Sequence, residues 1–132
     1  MTAFTELELA ALHSIFSETP DLASELERQL AVATVSEREN SGGGFFTTIA
    51  VPVDAARVSG PGVLGCETQA RVAGLEHGLG FVLFLRDGRL DLLDGHCWGP
   101  ETTATLDLTA LTFEVFRETV ASRFDANPRH SL

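Results

Sequence analysis

The sequence predicts an α+β fold, in which an N-terminal helical hairpin packs on a mostly antiparallel sheet of five or six strands. Apolar residues recur every three or four positions up to about residue 30, which is the period of an amphipathic helix. Beyond that point the apolar period is two, as in half-buried strands. The length of 132 residues fits one domain, which we expect over residues 1–125, with 126–132 as a frayed tail.

Two helices are predicted at the N-terminus. Thr5 and Glu8 form a capping-box pattern that starts a helix at about residues 6–17. Thr19 is expected to cap a second helix, with Pro20 at its first position, where a missing N–H costs nothing. Its buried stripe is expected to contain Leu22, Leu26 and Leu30.

The strands are predicted from alternation and from glycine punctuation. Alternating or continuous apolar runs predict strands at 32–39, 45–53, 64–72, 81–85 and 90–94. Gly74–Gly80 is expected to be a turn, and 95–100 an irregular segment. Asp87-Gly88 predicts a tight hairpin, because a type I′ turn needs positive φ twice. Residues 109–120 fit a helix or a strand, and their content of Thr, Phe and Val favours a strand.

The charge balance narrows the classes of partner. Nineteen acids oppose nine bases, all of them arginine, and the net charge is −10. Such a field repels nucleic acid and anionic membranes and favours a basic protein partner. The alternative is that the acids only solvate the helices. The absence of lysine excludes Schiff-base chemistry and a phosphate-loop lysine.

The sequence also bears on the location of the protein in the cell and on its need for a metal or cofactor. No apolar run is long enough to span a membrane, and no signal peptide is recognised, so we expect a cytoplasmic protein. Cys66 and Cys97 are then expected to be buried, reduced thiols. Cys66, Cys97, His77 and His96 could supply zinc ligands, but no two of them have the close sequence spacing of a zinc site. No catalytic residue, metal or cofactor is predicted.

Two glycine segments, each of the form Gly-x-Gly-Phe, start apolar strands at Gly42 and Gly78. Three consecutive glycines at 42–44 could present N–H groups to an anion, or could make a tight turn. Trp98 lies on the irregular segment, as a contact residue or as a plug of the core. The candidate binding residues around these segments are Arg38, Ser41, Gly43, His77, Asp94, His96 and Trp98.

One set of motifs resembles a family of small, uncharacterised bacterial proteins. The set comprises Arg-x-x-Ser-Gly-x-Gly-Phe-Phe-Thr at 38–47, Gly-x-Gly-Phe at 78–81, Asp-Gly at 87–88 and Leu-Asp-Gly at 93–95. The family has Thr where this chain has Ser41, and Glu where it has Asp94. The resemblance implies a bacterial, cytoplasmic single domain and brings no activity with it.

Two hypotheses about function follow. The first is a non-enzymatic interaction module for a basic protein, for example an inhibitor or immunity-type protein, using the acidic hairpin or the sheet edge beside the glycine turns. The second is a site for an anionic small molecule, or a small enzyme, at the glycine turns, with Arg38 holding the anion and Asp94 or His96 nearby.

Overall fold

A computed structural model describes residues 3–118 of the chain. Two helices, α1 (Glu6–Ser17) and α2 (Pro20–Val32), precede seven strands. The strands are β1 (Thr34–Asn40), β2 (Gly44–Ala50), β3 (Val63–Leu64), β4 (Thr68–Val72), β5 (Leu75–Arg86), β6 (Arg89–Cys97) and β7 (Phe113–Arg117). The predicted α+β fold is confirmed.

All seven strands belong to one sheet, and every pairing is antiparallel. The order is β1-β2-β6-β5-β4-β7, and the short β3 pairs with β5 beside this path. The sheet therefore has one strand more than the upper limit expected from the sequence, because the single strand expected at 64–72 is divided into β3 and β4.

That division has a visible cause. Gly65 adopts a φ of +95°, which turns the chain away from an extended path. The carboxylate of Glu18, at the C-terminal end of α1, then accepts hydrogen bonds from the N–H groups of Cys66 (3.0 Å) and Glu67 (3.1 Å). A helix carboxylate thus satisfies two backbone donors that a continuous strand would have paired within the sheet.

The helix starts differ in how they are capped. The capping box is confirmed, since Thr5 Oγ1 accepts from the Glu8 N–H at 3.1 Å and Glu8 Oε1 accepts from the Thr5 N–H at 2.8 Å. Pro20 is the first residue of α2, as expected. The Thr19 hydroxyl makes no capping hydrogen bond, contrary to expectation, because its backbone (φ −129°, ψ 72°) departs from the extended geometry usual at this position.

The two helices cover one face of the sheet, and the core lies between the helices and that face. Strand side chains on this face are buried and include Phe45, Thr47, Ile49, Leu79, Phe81, Leu83 and Leu93. We call the opposite side of the sheet the outer face. On the four neighbouring strands β1, β2, β6 and β5, the residues of the outer face are Glu37, Glu39, Phe46, Thr48, Leu92, Asp94, His96, Gly80, Val82 and Phe84.

The prediction of a turn over Gly74–Gly80 is wrong. The chain reverses at Ala73–Gly74, where Gly74 has a φ of +97°, and β5 then runs without a break from Leu75. Gly78 lies inside that strand at an irregular pairing, where a Cβ would come within 2.3 Å of the Ala70 carbonyl oxygen. The second glycine segment is therefore part of a strand, and glycine is used there for close approach of two backbones.

The remaining predictions concern the chain from residue 87 onwards. The Asp87-Gly88 hairpin is confirmed, with φ of +53° and +73°. β6 extends to Cys97, so the segment expected to be irregular begins three residues later than expected, at Trp98. The strand chosen within 109–120 is confirmed as β7, although residues 119–120 and the expected tail at 126–132 lie outside the described residues.

Candidate functional site

Arg38 is the first candidate, and its side chain faces the helices. Its Nε and Nη2 donate to the two carboxylate oxygens of Glu8 at 2.6 Å each, and Nη2 also donates to the Ala3 carbonyl. Glu8 is 1% exposed, and Arg38 is 15% exposed. The hydrogen bond to Glu8 raises the pKa of the guanidinium, although desolvation opposes this. Arg38 therefore joins α1 to β1 instead of facing a ligand.

The glycine loop at 41–44 is held by its neighbours. The Ser41 N–H donates to the Gly44 carbonyl, and the Gly42 N–H donates to Asn40 Oδ1. Thr103 is fully buried, and its hydroxyl contacts both Asn40 Oδ1 (2.7 Å) and the Gly44 carbonyl (2.9 Å). Of the three glycine N–H groups that an anion would need, that of Gly42 is thus already bonded within the protein. Hydrogen bonds from Thr102 Oγ1 and the Thr103 N–H to the Gly42 carbonyl hold the loop in place, and we call it the latched loop.

A second role of glycine in this region is close packing. A Cβ on Gly44 would lie 1.9 Å from the Gly95 carbonyl oxygen, and one on Gly95 would meet the Phe45 ring at 2.5 Å. The Gly44 and Gly95 backbones are therefore in direct contact, and Phe45 lies against Gly95. The same principle operates at Gly80, where a Cβ would meet the Trp98 ring at 2.5 Å and His96 Nε2 at 2.7 Å.

Three predicted site residues come together on the outer face. His96 and Trp98 pack edge to face over Gly80, with ring centroids 5.0 Å apart at 78°. Asp94 lies beside them, with its Oδ1 3.8 Å from His96 Nδ1. Trp98 is 36% exposed, so it neither plugs the core nor stands fully free. It covers the sheet where no side chain is present at Gly80.

His77 lies near this group but contacts a different residue. Its backbone N–H donates to Glu101 Oε1 at 2.9 Å, and a Cβ on Gly99 would lie only 2.2 Å from its ring. The other carboxylate oxygen of Glu101 is buried and has no hydrogen-bond donor among the described residues. Burial raises the pKa of the neighbouring Cys97 thiol, and the charge of Glu101 adds to that rise. A thiol with a raised pKa is a poor nucleophile at neutral pH.

An open cleft of about 580 Å³ lies between the β4–β5 turn and β7. It includes His77 and Gly78, and its charged groups are Arg71 with Glu76, Glu114 and Glu118. Arg71 is already bound, because its Nη1 lies 2.8 Å from Glu114 and its guanidinium carbon lies 4.2 Å from the Phe116 ring centroid. The cleft therefore has three acids against one committed base.

The outer face also carries an exposed aromatic residue that lies between two acids. In the register of the sheet, Glu39 on β1 is opposite Phe46 on β2, and Phe46 is opposite Asp94 on β6. Phe46 is 36% exposed, and Glu39 is also exposed. In the next row Glu37 is opposite Thr48. Among residues 3–118, the side chains of Glu37 and Glu39 form no hydrogen bond or ion pair.

The seven candidates are thus divided between locations. Asp94, His96 and Trp98 share the outer face, and His77 lies near them at Glu101. Arg38 lies on the opposite face, while Ser41 and Gly43 belong to the latched loop. Phe46 and Glu39 were not among the candidates. Strand alternation could have indicated them. On β2 it directs Phe46 away from the face that buries Phe45 and Thr47, and on β1 it directs Glu39 away from the face of Arg38.

Between residues 3 and 118, no cluster of three or more His, Cys, Asp or Glu side chains is arranged to hold a metal ion. Neither of the two helices is both long and apolar enough to cross a membrane. Comparison with protein-family models, with curated proteins and with solved structures finds no match to this chain.

Proposed function

We propose that this chain is an acidic protein-binding module, and that its outer face receives a basic segment of a partner protein. The observation that carries the proposal is the row in which exposed Phe46 lies between Glu39 and Asp94, with Glu37 in the adjoining row. Glu37 and Glu39 have no ion-pair partner among residues 3–118, and they lie beside the exposed ring of Phe46. A basic, partly apolar segment would complement such a surface. An inhibitor or immunity-type protein for a basic bacterial protein is one concrete form.

The helical hairpin offers less to such a partner. Four of its acids are already engaged: Glu8 with Arg38, Glu18 with the 66–67 backbone and the Thr68 hydroxyl, Glu25 with Arg28, and Glu27 with His13. Only Glu6 and Asp21 on the helices have no such partner among the described side chains. The geometry therefore favours the outer face over the hairpin.

An anionic small-molecule site at the glycine segments has weaker support. Arg38, which would have held the anion, is committed to Glu8 on the other side of the sheet. Arg71, in the open cleft, is committed to Glu114 and Phe116. The acids that remain around that cleft would repel an anion.

The test is a titration of isotopically labelled protein with a short peptide of Arg, Gly and Leu, followed by NMR. We expect chemical-shift changes at β1, β2 and β6 around Phe46, and an affinity that falls as ionic strength rises. A peptide with Glu in place of Arg should not bind. Absence of binding, or shift changes confined to α1 and α2, would overturn the proposal.

A matched pair of variants separates local from overall charge. Glu37→Gln with Glu39→Gln removes two charges from the outer face, and Glu6→Gln with Asp21→Asn removes two from the exposed first turns of the helices. Both raise the net charge by two from −10. The first pair should weaken peptide binding and the second should leave it nearly unchanged. Equal weakening would mean that only the overall charge attracts the peptide.

A further inference from the structure

We infer that Phe46, with Glu39 and Asp94 on either side, is a receptor for a single arginine side chain. This inference rests on the proposed function and names the chemical group that the outer face recognises. It depends on the sheet register, which places the three residues in one straight row across β1, β2 and β6.

The spacing of the row suits a guanidinium. Neighbouring strands lie about 4.8 Å apart, so each carboxylate is attached about one strand spacing from the phenyl ring. Directly opposed side chains on adjacent strands are within contact distance. A planar cation stacked on the ring can therefore donate to a carboxylate on each side. Arginine has five N–H donors in one plane, which allows both contacts at once.

The protein already contains one arrangement of this kind. On β4 and β7, also on the outer face, the Arg71 guanidinium lies over the Phe116 ring at 4.2 Å and its Nη1 lies 2.8 Å from Glu114. Cross-strand pairing places Arg71 opposite Glu114, with Phe116 two residues further on. At one edge of the sheet, an arginine of the chain itself thus stacks on an aromatic ring and forms an ion pair with an acid.

At Phe46 the chain supplies no such arginine among the described residues. Arg38 is the nearest arginine in sequence on β1, but strand alternation directs it to the helix face and Glu8. Arg71 over Phe116 is the cation–π contact found between residues 3 and 118. Phe46 and its two acids therefore have the same chemistry as the occupied arrangement, with the cation left for a partner to provide.

Trp98 is the other exposed aromatic on this face, and it is less suited to the role. Its ring packs over Gly80 and against the edge of His96, so contacts within the protein use part of its surface. It also lies beyond the end of β6, outside the cross-strand register that places acids on both sides of Phe46.

The experiment compares two peptides of the same sequence, one with Arg and one with Lys at every basic position, by calorimetric titration. The wild-type protein should bind the Arg peptide more tightly. Phe46→Leu keeps an apolar side chain but removes the ring. It should weaken binding of the Arg peptide about two- to fivefold, which corresponds to an exposed cation–π contact of about 0.5–1 kcal/mol. Its preference for Arg over Lys should be lost.

Phe84→Leu is the matched control. It makes the same change on the same face, but its cross-strand neighbours are Leu92 and Val63 instead of acids. It should leave the preference for Arg intact. If both peptides bind equally, or if Phe84→Leu and not Phe46→Leu removes the preference, the arginine receptor is wrong while the basic-segment function stands. If neither peptide binds, the proposed function itself fails.

Discussion

Glu8 on α1 and Arg38 on β1 form an ion pair with two hydrogen bonds of 2.6 Å in the interface between helix and sheet. Glu8 also accepts the Thr5 N–H of the capping box and the Thr47 hydroxyl. One buried carboxylate thus caps the start of α1, joins the helix to β1 and β2, and neutralises an arginine. Its satisfaction by four donors explains how a charged group is tolerated at 1% exposure.

Removing Arg38 is expected to destabilise the fold strongly. Arg38→Ala leaves the Glu8 carboxylate buried without its cation, and such losses cost about 3–5 kcal/mol in the free energy of unfolding. Urea denaturation measures the change. Arg71→Ala is the control, because that ion pair is 67% and 69% exposed and should be worth about 1 kcal/mol or less. Equal losses in the two variants would contradict the structural role of Arg38.

Adding one methyl group to the glycine loop should have opposite outcomes at neighbouring positions. Gly44→Ala places a Cβ 1.9 Å from a backbone oxygen at a φ of +149°, and should cost about 2–5 kcal/mol through overpacking and backbone strain. Gly43→Ala meets nothing within 4 Å and should be tolerated. Thermal unfolding of both variants measures the difference. Two similar melting temperatures would contradict the close approach of Gly44 to Gly95.

Gln29 is expected to hold the loop before β3 against the β5–β6 hairpin. Its amide donates to the Ala56 and Gly88 carbonyls and accepts from the Leu90 N–H, each at 2.9 Å. Gln29→Leu keeps the volume but leaves buried backbone groups unpaired, and should lower the free energy of unfolding by about 2–4 kcal/mol. Amide exchange at Leu90 should accelerate. Arg28→Leu, at a position 73% exposed, should change stability little.

The thiol of Cys97 should ionise at higher pH than an ordinary cysteine. Neither cysteine is fully buried, contrary to expectation, because Cys66 is exposed and Cys97 is half-buried. Burial and then the charge of Glu101 raise the pKa of Cys97, so the midpoint of its alkylation rate should lie above that of a short cysteine peptide. Glu101→Gln removes the charge contribution and should move the Cys97 midpoint downwards. Mass spectrometry after iodoacetamide treatment at several pH values follows Cys97 by itself, and a midpoint at or below that of the peptide would contradict the raised pKa.

Local patterns in the sequence were sufficient for the elements whose causes are local. The capping box at Thr5, the proline start of α2 and the Asp87-Gly88 hairpin depend on residues within a few positions of one another, and all three are confirmed. The helix period likewise indicated that Leu26 and Leu30 of α2 are buried, whereas Leu22 is only half-buried and the buried Gln29 was not expected. Each of these signals arises from the backbone's own geometry, which neighbouring residues in sequence determine.

Long-range partners decided the features that the sequence did not reveal. A glycine in sequence marks both a turn and a close approach, and only the facing strand distinguishes Gly74, which turns, from Gly78 and Gly80, which lie within β5. Arg38 looked free because its partner Glu8 lies thirty residues away on another element. Sequence therefore determined the α+β fold and the acidic character. The tertiary register decided which charges are neutralised and placed Glu39, Phe46 and Asp94 in one row on the outer face.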